Sequence, residues 1–389
     1  MKINPISKIL IAPGAFKGSL TAAAAARAIE RGLRRAGLTQ LRLLPIADGG
    51  DGTLDAFVAA GAVAVQADAL DPLGRRRVSA YGMLSADGVP TAVIEMAQAS
   101  GLALLRRDEL DPMRASTYGT GELMRAALEA GARRLIIGMG GSATVDGGAG
   151  CLQALGARLL DANGADIPPG GGGLAQLHTI DVSGLDPRWR EVEVIIASDV
   201  ENPAVGERGA AAVFGAQKGA TPEQIRILDA NLLHFLTQTY THLGVDVRTT
   251  PGGGAAGAFS AGLMAFLNGR IESGVDLILD LLRFETLLED MALVVTGEGR
   301  MDAQTVDGKG PIGVARRARA RGVPTVALVG GLLDEDGRLD ERLHEAGIAA
   351  VLPIVSKPMP LDEAMAHGAD LLEAAALRLG YLLQLQGRE

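Results

Sequence analysis

One cysteine, Cys151, stands in 389 residues, so no intrachain disulfide can form and nothing calls for an oxidising compartment. Aromatic residues make up 3% of the chain, too few for the base-stacking platforms that nucleic acids use. Positive charge is also short. The formal net charge is -9, and the densest basic run, Arg316 to Arg321, is interrupted by alanines on an expected helix and reads as a solvated face. Phosphate backbones recruit denser Lys and Arg patches, so nucleic acid is not an expected partner. No window approaches the roughly 18 consecutive apolar residues of a membrane span, and Met1 to Pro5 lead into a strand-like run without a signal peptide's apolar region. The expectation is a cytoplasmic protein with no membrane partner. His178, His234, His242, His344 and His367 share no metal-ligand spacing. Two nucleotide signatures are missing as well: GxxxxGK followed by Ser or Thr, and a strand leading into GxGxxG with an acid about 20 residues on.

Glycine is abundant, with 53 residues against 48% hydrophobic composition, and no Gly-X-Y period accompanies it. Length favours two domains. The glycines gather in a recurring device, a short apolar run ending in a turn of glycines and carboxylates: Leu43 to Thr53, Leu135 to Gly148 and Leu293 to Asp302. In open α/β sheets ligands bind outside the carboxyl ends of the strands. Glycines there allow close backbone approach to phosphate oxygens, and the neighbouring carboxylates offer hard oxygen ligands or a base. The device points to an enzyme handling a phosphate and a metal.

Lys8 to Pro13 reads as a buried strand, followed by a helix over Thr21 to Ala36 capped by Ser19 or Thr21. Leu41 to Ala47 and a helix near Leu54 to Ala60 complete a βαβα opening, which favours a parallel sheet. Arg76 to Leu84 and Thr91 to Met96 flank Ser85-Ala86-Asp87-Gly88, a hairpin signal. Leu135 to Met139 and Val192 to Ala197 read as further strands, and Thr221 to His242 as a long helix with Pro222 in its first turn. The last third alternates strand and helix, with Thr325 to Val329 and Ala350 to Val355 as strands. The two ends look alike and the middle differs, so the middle is expected to be an insertion.

Motifs AFKGS, ADGGDGT, DPLG, EMAQASGL, YGTGEL, GGSATVDGGAG, LQALGARLLD, SDVENP, FGAQKGAT and TGEGRMD follow in order over roughly 350 residues. In this the chain resembles the bacterial type of glycerate kinase from end to end. The resemblance implies ATP-dependent, magnesium-assisted phosphorylation of D-glycerate, commonly to 2-phosphoglycerate, with an active site in a cleft between two domains. It also marks departures. Pro13-Gly14-Ala15 stands where the family usually has Pro-Asp-Ser, Val145 where Asn is common, Ser198 where Cys is common, and Asp51 where the family has Glu.

The expected fold class is α/β with two domains. A Rossmann-like (flavodoxin-like) parallel-sheet domain spans 1–70 plus 285–389, and a mixed-sheet α/β domain, 71–284, is inserted, with the return of some of its central strands to the first domain left open. Phosphoryl transfer needs phosphate charges neutralised, in-line positioning and a group to take the hydroxyl proton. Lys17, Asp48 and Asp199 are the catalytic candidates, each near the end of an expected strand. Ser19, Arg300 and Asp302 are candidates for the substrate, whose carboxylate suits an arginine fork. Gly140, Gly141, Ser142 and Thr144 can wrap a phosphate, with Lys218 as a screening cation, and Asp146 and Glu298 are the metal candidates. Helix capping by Asp146 and a salt bridge within the turn at Glu298 are the competing structural readings. The expected partners are D-glycerate and ATP with Mg2+, and a homodimer is left open. Phosphorylation at the 3-hydroxyl, and a non-catalytic sugar-acid sensor on the same fold, remain alternatives.

Overall fold

The computed structural model describes residues 7–46, 50, 52–59, 61–302, 305, 310–334 and 337–385. The chain divides into two compact units, Met1–Asp48 with Val275–Glu389, and Gly49–Gly274. The first begins with β1 (Lys8–Ile11) and β2 (Leu41–Leu43). The second holds β3 (Val63–Leu70), β4 (Arg76–Ala86), β5 (Val89–Glu95), β6 (Arg134–Gly138), β7 (Arg158–Leu160), β8 (Thr179–Asp181), β9 (Glu193–Ala197) and β10 (Arg270–Glu272). The chain then returns to the first with β11 (Met291–Glu298), β12 (Thr325–Val329) and β13 (Ile348–Pro353).

The first unit carries one sheet, ordered β13-β12-β11-β1-β2, with every neighbouring pair parallel. Numbered within the unit this is 2-1-3-4-5, the flavodoxin-like order. Ile9, Leu10 and Ile11 are all fully buried, as expected of a strand covered on both faces. Burying such a side chain contributes about 1.5–3 kcal/mol. On one face Ile9 and Ile11 pack with Ile29, Leu33 and Leu379 of the helices Ala22–Arg35 and Gly368–Gln384. On the other, Leu10 and Val294 pack with Val275, Leu279 and Val314. The helix Ala22–Arg35 is capped by Thr21, whose hydroxyl accepts from Ala24 N at 3.1 Å. Ser19 is not the cap.

The second unit carries the sheet β10-β9-β6-β5-β4-β3 and a small β7-β8 ribbon. Strands β10, β9, β6 and β5 run parallel, while β4 and β3 are antiparallel additions. Ala86 pairs with Val89 across a two-residue turn in which Asp87 and Gly88 have φ of 51° and 79°, the left-handed pair that a type I′ hairpin demands. The helix Pro222–Leu243 is bounded by a Thr221–Gln224 capping box and a left-handed Gly244.

Two boundaries differ from the sequence expectation. Residues up to 70 were placed in the first domain, yet β3 pairs along its length with β4, from Val63 opposite Met83 to Leu70 opposite Arg76. Its Ala-rich alternation, VAVQADAL, carries too weak a pattern to mark a strand. Residues 275–284 were placed in the insertion, yet Val275 and Leu279 are fully buried in the core of the first unit.

Candidate active site

In the first unit, β1 and β11 are neighbours whose onward connections lead to opposite sides of the sheet, which makes their carboxyl ends the topological switch point where α/β ligands bind. The segment after β1 stays beside β11: Ala12 N donates to Val295 O at 2.7 Å and Gly14 N to Gly297 O at 2.8 Å. A tight turn follows, with Phe16 N donating to Leu20 O at 2.9 Å and Ser19 N to Phe16 O at 2.8 Å. Phe16 is buried and Lys17 exposed, so the core anchors the turn and the ammonium projects from it. Lys17 makes no ion pair among the described residues. A Cβ added at Gly299 would lie 3.3 Å from Lys17 N, so the turns after β1 and β11 abut.

The turn after β11 gathers two carboxylates around Thr305, one on its hydroxyl and one on its backbone amide. Thr305 Oγ1 donates to Glu298 Oε1 at 3.0 Å and accepts from Asp302 N at 3.2 Å, while Thr305 N donates to Asp302 Oδ1 at 3.3 Å. Arg300 lies exposed, 3.4 Å from Asp302. Its guanidinium is therefore available to an anion, and a pair this exposed contributes about 0–1 kcal/mol to stability. Ser19 is placed differently from the expectation. Its hydroxyl donates to Met365 O at 2.6 Å, which ties it to the backbone of another helix. Asp48, together with Asp51, lies outside the described residues.

In the second unit the register aligns Glu95, Gly138, Ala197 and Glu272 across the carboxyl edge of the parallel strands. Asp199, just past β9, is exposed, and its Oδ1 accepts from Gly274 N at 3.1 Å. Glu95 is buried, accepting from Leu54 N at 2.6 Å and Gln98 Nε2 at 3.0 Å. It thereby fixes the start of the helix Thr53–Ala59 that follows the first acidic turn.

The turn after β6 is built differently from the expectation. Gly141, at φ 72°, is exposed and Gly140 half-buried, and the amides of Gly140, Gly141 and Ser142 donate to no acceptor among the described residues. Successive free amides of this kind form an anion-binding concavity. The hydroxyls expected to share that role face inward: Ser142 is 6% exposed and Thr144 fully buried. Lys218, expected to screen phosphates, is 2% exposed, and its ammonium donates to Ser142 Oγ and Thr144 O, both at 2.7 Å. Burial pulls this ammonium down from 10.5 to about 7, against the opposing field of Asp146.

Asp146, expected as a metal ligand, is fully buried. Its Oδ2 accepts from Thr117 N and Oγ1 at 2.8 Å each and from Gly150 N at 3.3 Å, and its Oδ1 accepts from Gly148 N at 3.1 Å. Burial raises its pKa while these four donors oppose the rise. It acts as a structural carboxylate fixing the start of the helix Ala149–Ala154. Among the described residues no group of three or more His, Cys, Asp or Glu side chains is arranged to hold a metal. Thr117, Thr305 and Glu95 were not singled out from the sequence; Glu95 opens the EMAQASGL motif and Thr305 stands three residues after Asp302, the signals that could have found them.

Turns of glycines and carboxylates at the carboxyl ends of parallel strands place this chain among the open-sheet α/β proteins. The glycerate kinase family model matches residues 9–384. A glycerate kinase of Bacillus subtilis (strain 168) is 47% identical over 380 residues, covering 97% of this chain and 98% of the relative. A glycerate 2-kinase of Escherichia coli (strain K12) is 45% identical over 380 residues, with the same coverage. A crystal structure assigned to glycerate kinase 2 from Salmonella typhimurium LT2 has a TM-score of 0.81 and 43% identity, covering 98% of this chain and 99% of that one. The chain belongs to the glycerate kinase family.

Proposed function

We propose that this chain transfers the terminal phosphoryl group of ATP to D-glycerate, forming 2-phosphoglycerate and ADP. End-to-end similarity to a glycerate 2-kinase carries the reading, since 97% of the chain aligns at 45% identity. The site chemistry supports it. The free amides of Gly140 and Gly141 suit the nucleotide phosphates. Exposed Asp199, at the end of β9, is the proposed general base that accepts the glycerate hydroxyl proton. Lys17 and Arg300 supply cations for a carboxylate or phosphate in the first unit, Arg300 by a bidentate fork.

Mg2+ fits the donor chemistry of the turn after β11. Glu298 and Asp302 present hard carboxylate oxygens around Thr305, and Mg2+ is commonly bound by one or two carboxylates, substrate phosphates and waters. Bound there, it would neutralise phosphate charge. Asp146 is not among its proposed ligands. A cytoplasmic location is part of the reading; among the described residues no helix is long and apolar enough to cross a membrane.

ADP release by the purified protein, followed with and without D-glycerate and with and without Mg2+, tests the proposal. Release that requires both supports it. Saturable D-glycerate binding without release would establish the sensor reading instead.

A further inference from the structure

We propose that Lys218 is a positioning residue for nucleotide binding: its ammonium sets the Gly140–Thr144 backbone that receives the phosphates, without touching them. This inference rests on the reading of that turn as the nucleotide site. Lys218 Nζ reaches two points of the same turn, Ser142 Oγ and Thr144 O, at 2.7 Å each. One buried cation thus clamps a segment whose outward face is the Gly140–Gly141 backbone.

The rest of the turn is braced just as closely. Leu102 N donates to Gly141 O at 2.8 Å and Ala143 N to Ser100 O at 2.9 Å. Behind it, Ala256, Gly257 and Ala258 adopt φ of 54°, 70° and 66° at the start of the helix Ala255–Leu267, a left-handed run that alanine rarely enters. A Cβ on Gly257 would lie 2.1 Å from Thr144 O and 2.6 Å from Val145 Cα, and Gly257 O accepts from Gly147 N at 3.0 Å. Backbone strain of this sort persists where the surroundings over-determine a functional geometry.

An apolar side chain would fill the Lys218 site without the desolvation that an ammonium incurs. No carboxylate lies within ion-pair distance of it among the described residues, and Asp146 is the one charged group whose field is felt there. Below about pH 7, where the amine is protonated, its charge adds to the field of the outward amides and favours an anion in front of them; above it the neutral amine still donates to Ser142 Oγ and Thr144 O.

Lys218→Met and Ser142→Ala test the assignment through two readouts: the KM values for ATP and D-glycerate, and hydrogen–deuterium exchange of the 139–150 segment in ligand-free protein. Assayed at pH 6, where the ammonium is protonated, Lys218→Met should raise the KM for ATP by about ten- to a hundredfold, the scale of a lost charge-assisted hydrogen bond, and leave that for D-glycerate within about twofold. Exchange in the segment should quicken, and Ser142→Ala should shift both readouts the same way by less. Unchanged exchange in a folded Lys218→Met protein would refute the role, whether or not the protein turns over glycerate. Equal rises in both KM values would also refute it, because general loosening does not single out one substrate. If wild-type protein released no ADP, the kinase reading would fail while exchange still decided the clamp. Should Lys218→Met not fold, Ser142→Ala decides on the same measurements.

Discussion

A lysine pulled from 10.5 to about 7 by burial must leave a signature in stability, and its sign follows from proton counting. Between about pH 7 and 10.5 the unfolded chain holds the Lys218 proton and the folded chain does not, so stability rises with pH across that window. Each pH unit contributes about 1.4 kcal/mol, so about 4 kcal/mol accumulates between pH 7 and pH 10. Lys218→Met removes this contribution and leaves every other titrating group in place, including the buried Cys151 thiol, whose pKa is also raised. The wild-type curve minus the variant curve therefore isolates the lysine. Trp189 is the single tryptophan and is 5% exposed in the same unit as Lys218, so urea titrations followed by its fluorescence report the relevant transition. The two proteins should lie closest near pH 7, where the desolvation of the wild-type ammonium is set against its bonds to Ser142 Oγ and Thr144 O, which Met cannot make. The wild type should then gain on the variant steadily toward pH 10. Parallel curves would show that Lys218 does not lose its proton in this range and would refute the burial argument.

Asp199→Asn should lower turnover by about 10²–10⁴-fold, as loss of a general base does, with little change in melting temperature because the Asn Oδ1 can still accept from Gly274 N; near-normal turnover would remove it as the base. Ser19→Ala should cost about 1 kcal/mol, the worth of its bond to Met365 O, in chemical denaturation, and leave the KM for D-glycerate unchanged; a large KM rise would restore the substrate role expected from the sequence. Gly257→Ala should destabilise by more than about 2 kcal/mol, since it adds a left-handed alanine and a backbone clash with Thr144; a melting temperature equal to wild type would contradict the packing at this turn.

Much of this architecture could be read before any coordinates. Fully buried strands such as Leu135 to Ile137 announce themselves as apolar runs, and Thr221-Pro222 with Gly244 brackets a helix by local chemistry alone. The turn residues Asp87-Gly88 carry their conformation with them. Strand β3 escaped because alanine marks neither face of a sheet strongly, and the domain boundary moved with it. At the site, sequence identified the turns but not which way their side chains point. Ser142, Thr144 and Asp146 lie in one motif-rich stretch, yet their partners come from elsewhere in the chain: Thr117 on Asp146, Lys218 on Ser142 and Thr144, and Gly257 against Thr144 O. The left-handed Ala256 and Ala258 carry no local signature, since their conformation is imposed by the turn they support.

Phosphorus NMR of the product formed from ATP, Mg2+ and D-glycerate tests the central claim most directly. A single new phosphomonoester resonance coupled to the lone proton on carbon 2, and identical to authentic 2-phosphoglycerate, is the result predicted. A resonance coupled to the two protons on carbon 3 would assign the other hydroxyl, and no new resonance from folded protein would contradict the kinase reading altogether.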